Sequence, residues 1–374
     1  MGSSNHIAFF LPSFQIGGIE RVTITLAEGL DKQGYQVEIV VSETGGPLQD
    51  EVPSSIPVVD LNKSENSADS LISHLPELVD YFNDSSPSAI FSEHSHGNIL
   101  LVLSRVISQA ETQVIVRENG LSPYAPPGTM RYFKEQSTRL IASAIYRKAN
   151  KIIPVSDGVE QDLLSLCLPR HKIYKINNPV VTDDLLTKAD KKVTHDWFED
   201  PNLDVILSVG RLEPRKGFTT LLESFSQLDS KKGIRLVIIG NGPEYENLKQ
   251  MSQELGIEDK VWLPGFVDNP YKYMTNASVF VLSSTSEGLP TVLIEALASG
   301  CPVVSTDCPH GPAEILNEGE IAPLVEPNDP DALSNAISSV LENPQREGEL
   351  KSRANDFRPE SIIQEYDELV SQLI

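Results

Sequence analysis

The chain has 374 residues, 40% hydrophobic and 22% charged, the balance of a globular protein long enough for two domains and not of a disordered chain. Its 53 acidic against 30 basic side chains give a formal net charge of -23, which excludes the basic footprint of a nonspecific nucleic-acid binder. Three cysteines, Cys167, Cys301 and Cys308, fit neither a disulfide framework nor a zinc spacing, and no apolar run approaches the ~20 residues of a membrane helix.

Short β-rich apolar runs alternate with helical periodicity along the whole chain, the pattern of parallel α/β architecture. The N-terminus leads straight into a strand without an apolar signal region, so the protein is read as cytoplasmic. Strands are expected at His6–Leu11, Gln36–Val41, Val58–Leu61, Ala89–Glu93, Gln113–Arg117, Lys151–Val155 and Lys172–Ile176, with helices including Ile19–Gln33, Ala68–Phe82 and Asn98–Ala110. Asn178–Asn202, with two prolines and little apolar periodicity, reads as a linker. The pattern restarts with strands at Asp204–Val209, Arg235–Ile239, Val261–Leu263, Val279–Leu282 and Pro302–Ser305. A last helix from Pro359 carries apolar residues at helical spacing. The expected domains are therefore 1–182 and 200–357, with 358–374 packing back on the first.

Three segments carry chemistry. After the first strand, Gly17 and Gly18 let the backbone approach a ligand and open a helix whose N-H groups attract phosphate or carboxylate; the plain alternative is a tight turn. The strand Asp204–Val209 ends in Gly210, Arg211 and, five residues on, Lys216, at the strand end where open α/β sheets bind ligands. Two cations there can clamp a diphosphate; the plain alternative is an exposed charged loop. After Val279–Leu282 come Glu287, Gly288, Leu289, Pro290 and Thr291, with Pro290 suited to a first helical turn and Gly300 to the C-terminal cap. That helix N-terminus points its N-H groups above the sheet, beside Glu287, and Glu295 lies further along among apolar neighbours, where hydroxyl groups of a sugar or ribose would partner a buried carboxylate.

Taken together these residues resemble the family 4 retaining glycosyltransferases of the GT-B fold. The resemblance also rests on Gly240-Asn-Gly-Pro-Glu244, Pro264-Gly-Phe-Val-Asp268, the seven residues between Glu287 and Glu295, and Gly300-Cys-Pro-Val-Val304. The run Asp307 to Leu316 is similar to a bacterial subgroup that builds surface polysaccharides and lipid-linked oligosaccharides. The resemblance implies an α/β, GT-B chain of two Rossmann-like domains whose parallel sheets face across a cleft. It implies a nucleoside-diphosphate sugar as co-substrate, no cofactor or metal, and a saccharide or lipid-linked saccharide acceptor. Arg211, Lys216 and Glu287 would be catalytic, the two cations on the departing diphosphate and Glu287 on the transferred sugar. Glu295 would bind the ribose and Val267 the base, while Gly210, Gly288, Leu289, Pro290 and Thr291, with Gly17 and Gly18 from the first domain, complete the donor site. The family's frequent histidine after the fifth strand has no counterpart in Val116-Arg117-Glu118-Asn119-Gly120. Arg117, Glu118, Asn119, His94 and His96 are the acceptor-side candidates; for each histidine a structural role is the plain alternative.

The reaction implied is attack by an acceptor hydroxyl on the face the diphosphate leaves, with the departing phosphate oxygen taking the proton. Alanine at Arg211 or Lys216 is then expected to lower turnover while leaving folding nearly unaffected. The rival readings are a nucleotide-sugar epimerase of the same fold and a non-catalytic nucleotide-sugar-binding subunit. A nicotinamide dehydrogenase is disfavoured because Tyr245 stands where the third glycine of its fingerprint belongs. Finally, 131–151 holds Arg131, Lys134, Arg139, Arg147, Lys148 and Lys151 against the single acid Glu135, interleaved with apolar residues at helical spacing. Such a helix could rest on the inner face of an anionic membrane; the plain alternative packs its apolar face on the sheet and leaves the cations solvated.

Overall fold

Runs such as Ile7 to Leu11 are apolar at every position because a strand inside a parallel sheet is covered by helices on both faces. A computed structural model describes residues 5–61, 71–121, 128–228 and 233–374, without the side chains of Leu71 and Arg131. The first four residues, the start of the helix expected at Ala68–Phe82 and the Arg131 side chain thus lie outside the described residues.

Two units divide the chain, 1–179 with 359–374 and 180–358. The first contains β1 (His6–Leu11), α1 (Gly18–Lys32), β2 (Gln36–Val41), β3 (Val58–Asp60), α2 (Leu75–Asp84), β4 (Ala89–Ser92), α3 (Ser95–Ser108), β5 (Gln113–Glu118), α4 (Met130–Tyr146), β6 (Lys151–Pro154) and α5 (Asp157–Ser165). The second contains α6 (Asp183–Ala189), α7 (Asp196–Glu199), β7 (Asp204–Val209), α8 (Phe218–Ser226), β8 (Ile234–Ile239), α9 (Tyr245–Glu254), β9 (Val261–Gly265), α10 (Tyr271–Asn276), β10 (Val279–Leu282), α11 (Thr291–Ala298), β11 (Val303–Thr306), α12 (Pro312–Ile315), β12 (Leu324–Val325), α13 (Pro330–Glu342) and α14 (Glu347–Ala354). The chain then returns to the first unit as α15 (Pro359–Ser371).

Each unit has one six-stranded parallel sheet, ordered β3-β2-β1-β4-β5-β6 and β12-β11-β10-β7-β8-β9. Strand order reverses between β1 and β4 in the first sheet and between β7 and β10 in the second, and at such a switch point the loops on the carboxyl ends of neighbouring strands diverge and leave a crevice. In the first unit Ile362, Ile363, Tyr366, Leu369 and Val370 of α15 join the core of β1, β2 and α1. A Cβ on Gly29 of α1 would stand 2.1 Å from Ile363, so a glycine lets the two helices meet.

Two expectations are corrected. Arg170–Lys172 form a 3-10 turn, and only Ile173 makes a bridge to β6, so Lys172–Ile176 is a sheet fringe and not a strand. The span Asn178–Asn202 is not an extended linker: α6 and α7 form within it, with Val180, Val181, Leu185, Ala189 and Val193 buried. Thr182 caps α6 through Leu185 N-H, a local signal that the sparse periodicity obscures.

Candidate donor site and acceptor-side residues

Lys216 and Glu287 are 71 residues apart, yet they meet because β7 and β10 are neighbours at the switch point of the second sheet. The loops that follow these strands are stitched together. Thr285 N-H donates to the Arg215 carbonyl at 2.8 Å, and Ser283 Oγ donates to the Lys216 carbonyl at 2.8 Å. Gly217 joins the loops at φ +63°, where a Cβ would stand 2.0 Å from the Ser283 carbonyl oxygen; no other residue fits. The loop after β11 closes the third side, with Glu287 N-H donating to the Pro309 carbonyl at 3.2 Å.

Within this frame Glu287 is buried and accepts from Lys216 Nζ at 2.6 Å, Ser284 Oγ at 2.5 Å and, more loosely, Arg215 Nη1 at 3.4 Å. Burial alone would raise its pKa, but the charges of Lys216 and Arg215 outweigh it and hold the carboxyl below the usual range. The group is a carboxylate at neutral pH. Gly288, Leu289 and Pro290 lead directly from it into α11, whose first N-H groups lack intrahelical acceptors and face the same sheet edge. An acid, two cations and a helix N-terminus thus converge, an arrangement suited to holding a diphosphate and stabilising charge that grows on it. Cys308 lies buried nearby, its thiol pushed up to about 12 by burial and then by the Glu287 charge, so it is no nucleophile.

The anticipated residues divide by placement. Gly210 follows β7, where a Cβ would stand 3.6 Å from the Lys216 stem, Glu295 is half-buried on α11, and Val267 is half-buried in the loop after β9. Arg211 is 73% exposed and pairs with Glu213 at 3.0 Å, while Arg215 is the arginine that reaches Glu287. Arg215 was missed because Arg211 and Lys216 follow a strand end more conspicuously. The signal was Pro214, which starts a 3-10 turn and turns the two adjacent cations toward the β10 loop.

In the first unit Gly17 caps α1 and Gly18 is its first residue. The acceptor-side candidates are not equally placed. Arg117 is fully buried, pairs with Glu93 and donates to Asn178 Oδ1 at 2.7 Å. Glu118 is buried too, accepting from Tyr146 Oη at 2.6 Å, Ser95 Oγ at 3.1 Å and the N-H groups of Asn119 and Gly120. Its burial outweighs those bonds and pushes the pKa up to about 7. Burial therefore removes Arg117 and Glu118 from direct contact with an acceptor and makes them ties inside the unit. His94 and Asn119 are partly exposed and His96 exposed.

The helix α4 departs from its plain alternative. Among its described side chains only Ala142 and Tyr146 are fully buried, whereas Met130, Phe133, Leu140 and Ile141 are 86%, 58%, 69% and 51% exposed. These apolar residues face solvent; Lys134, and Lys148 beyond the helix end, are exposed too, and Glu135 is half-buried.

Doubly wound parallel sheets in two units, with this cluster at the second switch point, are the architecture of a GT-B glycosyltransferase. The chain belongs to glycosyltransferase family 4: residues 16–184 match the model "Glycosyltransferase Family 4" and residues 190–357 match "Glycosyl transferases group 1". It is 28% identical, over 93% of both chains, to the Campylobacter jejuni N-acetylgalactosamine-N,N'-diacetylbacillosaminyl-diphospho-undecaprenol 4-alpha-N-acetylgalactosaminyltransferase. An Escherichia coli lipopolysaccharide 1,6-galactosyltransferase is 30% identical over 47% of this chain and 48% of its own. Among solved structures, Anabaena HepE in complex with UDP and glucose superposes with a TM-score of 0.81 at 19% identity, covering 98% of this chain and 99% of that one; the likeness is one of fold. A further relative, from Rhizobium meliloti, is named a lipopolysaccharide core biosynthesis glycosyltransferase, and no described helix is long and apolar enough to cross a membrane.

Proposed function

We propose that the protein is a retaining, metal-independent glycosyltransferase that moves a sugar from a nucleoside diphosphate to a saccharide or lipid-linked saccharide in glycan biosynthesis. The observation that carries this reading is the Glu287–Lys216–Arg215 cluster beside the α11 N-terminus. As the anomeric carbon to oxygen bond breaks, its electrons pass to the diphosphate, whose charge Lys216, Arg215 and the helix N-terminus stabilise. The same phosphate oxygen accepts the acceptor proton. With this positive charge supplied by the chain, activity is expected to survive EDTA. HepE was solved with UDP, and the Campylobacter relative is named for a diphospho-undecaprenol saccharide, which supports both halves of the reading.

The first test is a thermal-shift screen of nucleoside-diphosphate sugars, in which a ligand at ~100 times its dissociation constant adds about 2.7 kcal/mol of stability. With the donor identified, Glu295→Ala is expected to weaken donor and free nucleotide alike, while Glu287→Ala cuts turnover more than nucleotide affinity. Calorimetry showing equal losses for both variants would remove the distinction.

The acceptor reading places α4 against an anionic bilayer. Its exposed apolar residues would enter the interface, and Val106 and Ile107 of the neighbouring α3 are exposed as well. Lys172 donates to the carbonyls of Arg147 and Ala149, gathering cations at the α4 C-terminus, and its pKa is lowered by burial and then by Arg105, Lys148 and Lys151. Phe133→Ser with Leu140→Ser is expected to abolish sedimentation with anionic liposomes, and Lys134→Glu with Lys148→Glu to weaken it. Lipid-independent recovery of the wild type in the supernatant would instead indicate a soluble acceptor.

A further inference from the structure

The second unit has a pocket of about 360 Å³ that shares no residue with the donor site, and every residue lining it belongs to that unit. It lies where α6, α10, α11 and α14 come together. Ala189 of α6, Ala298 of α11 and Ala354 of α14 are buried in its wall, and three such small side chains leave a space that larger ones would close. Its volume is that of a small-molecule site. The chain itself holds the wall in place: the N-H groups of Val180 and Val181 both donate to the Phe357 carbonyl, at 2.9 and 3.1 Å.

The polar lining divides into cations and acceptors. Lys351, Asn355 and Arg358 line the pocket from α14 and the 3-10 turn after it, and Arg358 Nε donates to Asn355 Oδ1 at 3.2 Å. The two cations pair with Glu347 and Asp183, at 2.6 and 3.5 Å, whose side chains are 66% and 88% exposed. Ion pairs so open to water add little and yield to an anion that enters the pocket. Asp190 of α6 supplies a carboxylate. The hydroxyls of Thr275 and Ser299 already donate to the carbonyls of Tyr271 and Glu295, which leaves their oxygens as acceptors. A ligand that satisfies this lining carries an anionic group for the cations, hydroxyl donors for the acceptors and a C-H face for the alanines.

We infer that this pocket is a regulatory binding site for a hexose phosphate, with the phosphate on Lys351 and Arg358 and the sugar hydroxyls donating to Asp190, Thr275 and Ser299. Its link to the donor site is α11. That helix lines the pocket with Ala298 and its cap Ser299, while its other end, about 12 Å away, follows Gly288, Leu289 and Pro290. In the same way α10 brings Thr275 to the pocket and starts after the loop that holds Val267. A Cβ on Gly300 would stand 3.0 Å from Lys351 Cε, so the Lys351 stem lies against the end of α11 and a phosphate that draws its ammonium acts on that helix. Occupancy of the pocket therefore changes nucleotide affinity, and the effect is reciprocal. The pocket stands apart from the glycosyltransferase reading; its coupling to the donor site rests on that reading.

The test titrates the 6-phosphates of glucose, galactose and mannose into the full chain by calorimetry, with the free hexoses and inorganic phosphate as controls. At least one hexose phosphate is expected to bind, and its controls about 10-fold or more weakly, since each satisfies only part of the lining. Lys351→Gln and Arg358→Gln should each weaken binding about 10-fold, the loss of one hydrogen bond to a charged group. Asn355→Asp keeps an acceptor for Arg358 and adds a negative charge on an exposed side chain. It should weaken the hexose phosphate while leaving the urea midpoint and the turnover without that ligand at wild-type values. At saturation the hexose phosphate should shift the dissociation constant of the free nucleoside diphosphate by about 5-fold or more in the wild type and not in Asn355→Asp. Failure of all three hexose phosphates to bind more tightly than their controls, or wild-type binding in Lys351→Gln and Arg358→Gln, overturns the site. An unchanged nucleotide affinity at saturation overturns the coupling. A chain that binds a hexose phosphate through Lys351 and Arg358 but no nucleoside-diphosphate sugar supports the site while defeating the glycosyltransferase reading and the coupling with it.

Discussion

Lys216→Ala is expected to lower turnover by about 10²- to 10³-fold, the loss that follows removal of one electrostatic donor from a developing oxyanion. The sequence led us to expect folding to be nearly untouched, and the structure revises that. Glu287 is buried and Lys216 is its shortest charged contact, so the alanine leaves a carboxylate with only Ser284 and a distant Arg215. Breaking a buried pair from one side costs roughly 3–5 kcal/mol. Replacing both partners by apolar residues, Lys216→Met with Glu287→Leu, should restore much of the stability and none of the activity, because the orphaned charge is gone but so is the clamp. Arg211→Ala offers the contrast: its side chain lies in solvent against Glu213, so stability should not change. Urea unfolding and turnover measured on the same samples separate these effects. A Lys216→Ala protein as stable and as active as wild type would sink the assignment.

Glu118 should govern how stability depends on pH. Its folded-state pKa stands at about 7, against 4.5 for the ordinary carboxyl, chiefly because burial penalises the charge. Between those values the folded state holds a proton that the unfolded state releases. The contribution is therefore fully present below about 4.5 and is lost as pH rises through 7, a swing of about 3 kcal/mol. Glu118→Gln cannot titrate, so the wild type should be the less stable of the two at pH 8 relative to their difference at pH 4. Denaturant midpoints across that range provide the measurement, and parallel curves for the two proteins would refute it. Loss of stability in Tyr146→Phe should be largest at high pH, where the phenol donates to an ionised carboxylate.

Much of this protein was legible before folding was considered. The strand Val279–Leu282 begins and ends where its apolar run does, because burial on both faces leaves no polar position to blur the boundary, and the mostly apolar Asp204–Val209 was legible in the same way. The N-terminus of α11 was marked by Pro290 and its end by Gly300, which adopts φ +74° just beyond the helix. Glu287 stood out as an acid between a strand and that helix. These signals are local, carried by residues within one turn or one strand of each other.

What the sequence left undecided depends on which strands become neighbours. That Arg215 reaches Glu287 while Arg211 pairs with Glu213 follows from β7 lying beside β10, which brings the loops of both strands together. Arg117 and Glu118 read as acceptor-side candidates because they stand at the end of the fifth strand, where the resembled family often has a histidine; here Glu93, Asn178, Tyr146 and Ser95, all distant in sequence, enclose them. The outward turn of Phe133 and Leu140 was equally hidden, since periodicity places apolar residues on one face of a helix without saying which face meets the sheet. Local patterns fix the elements and the kinds of side chain at their ends. Burial, charge pairing and exposure are set by long-range contacts, so only the tertiary structure could decide which of those side chains are enclosed and which face solvent.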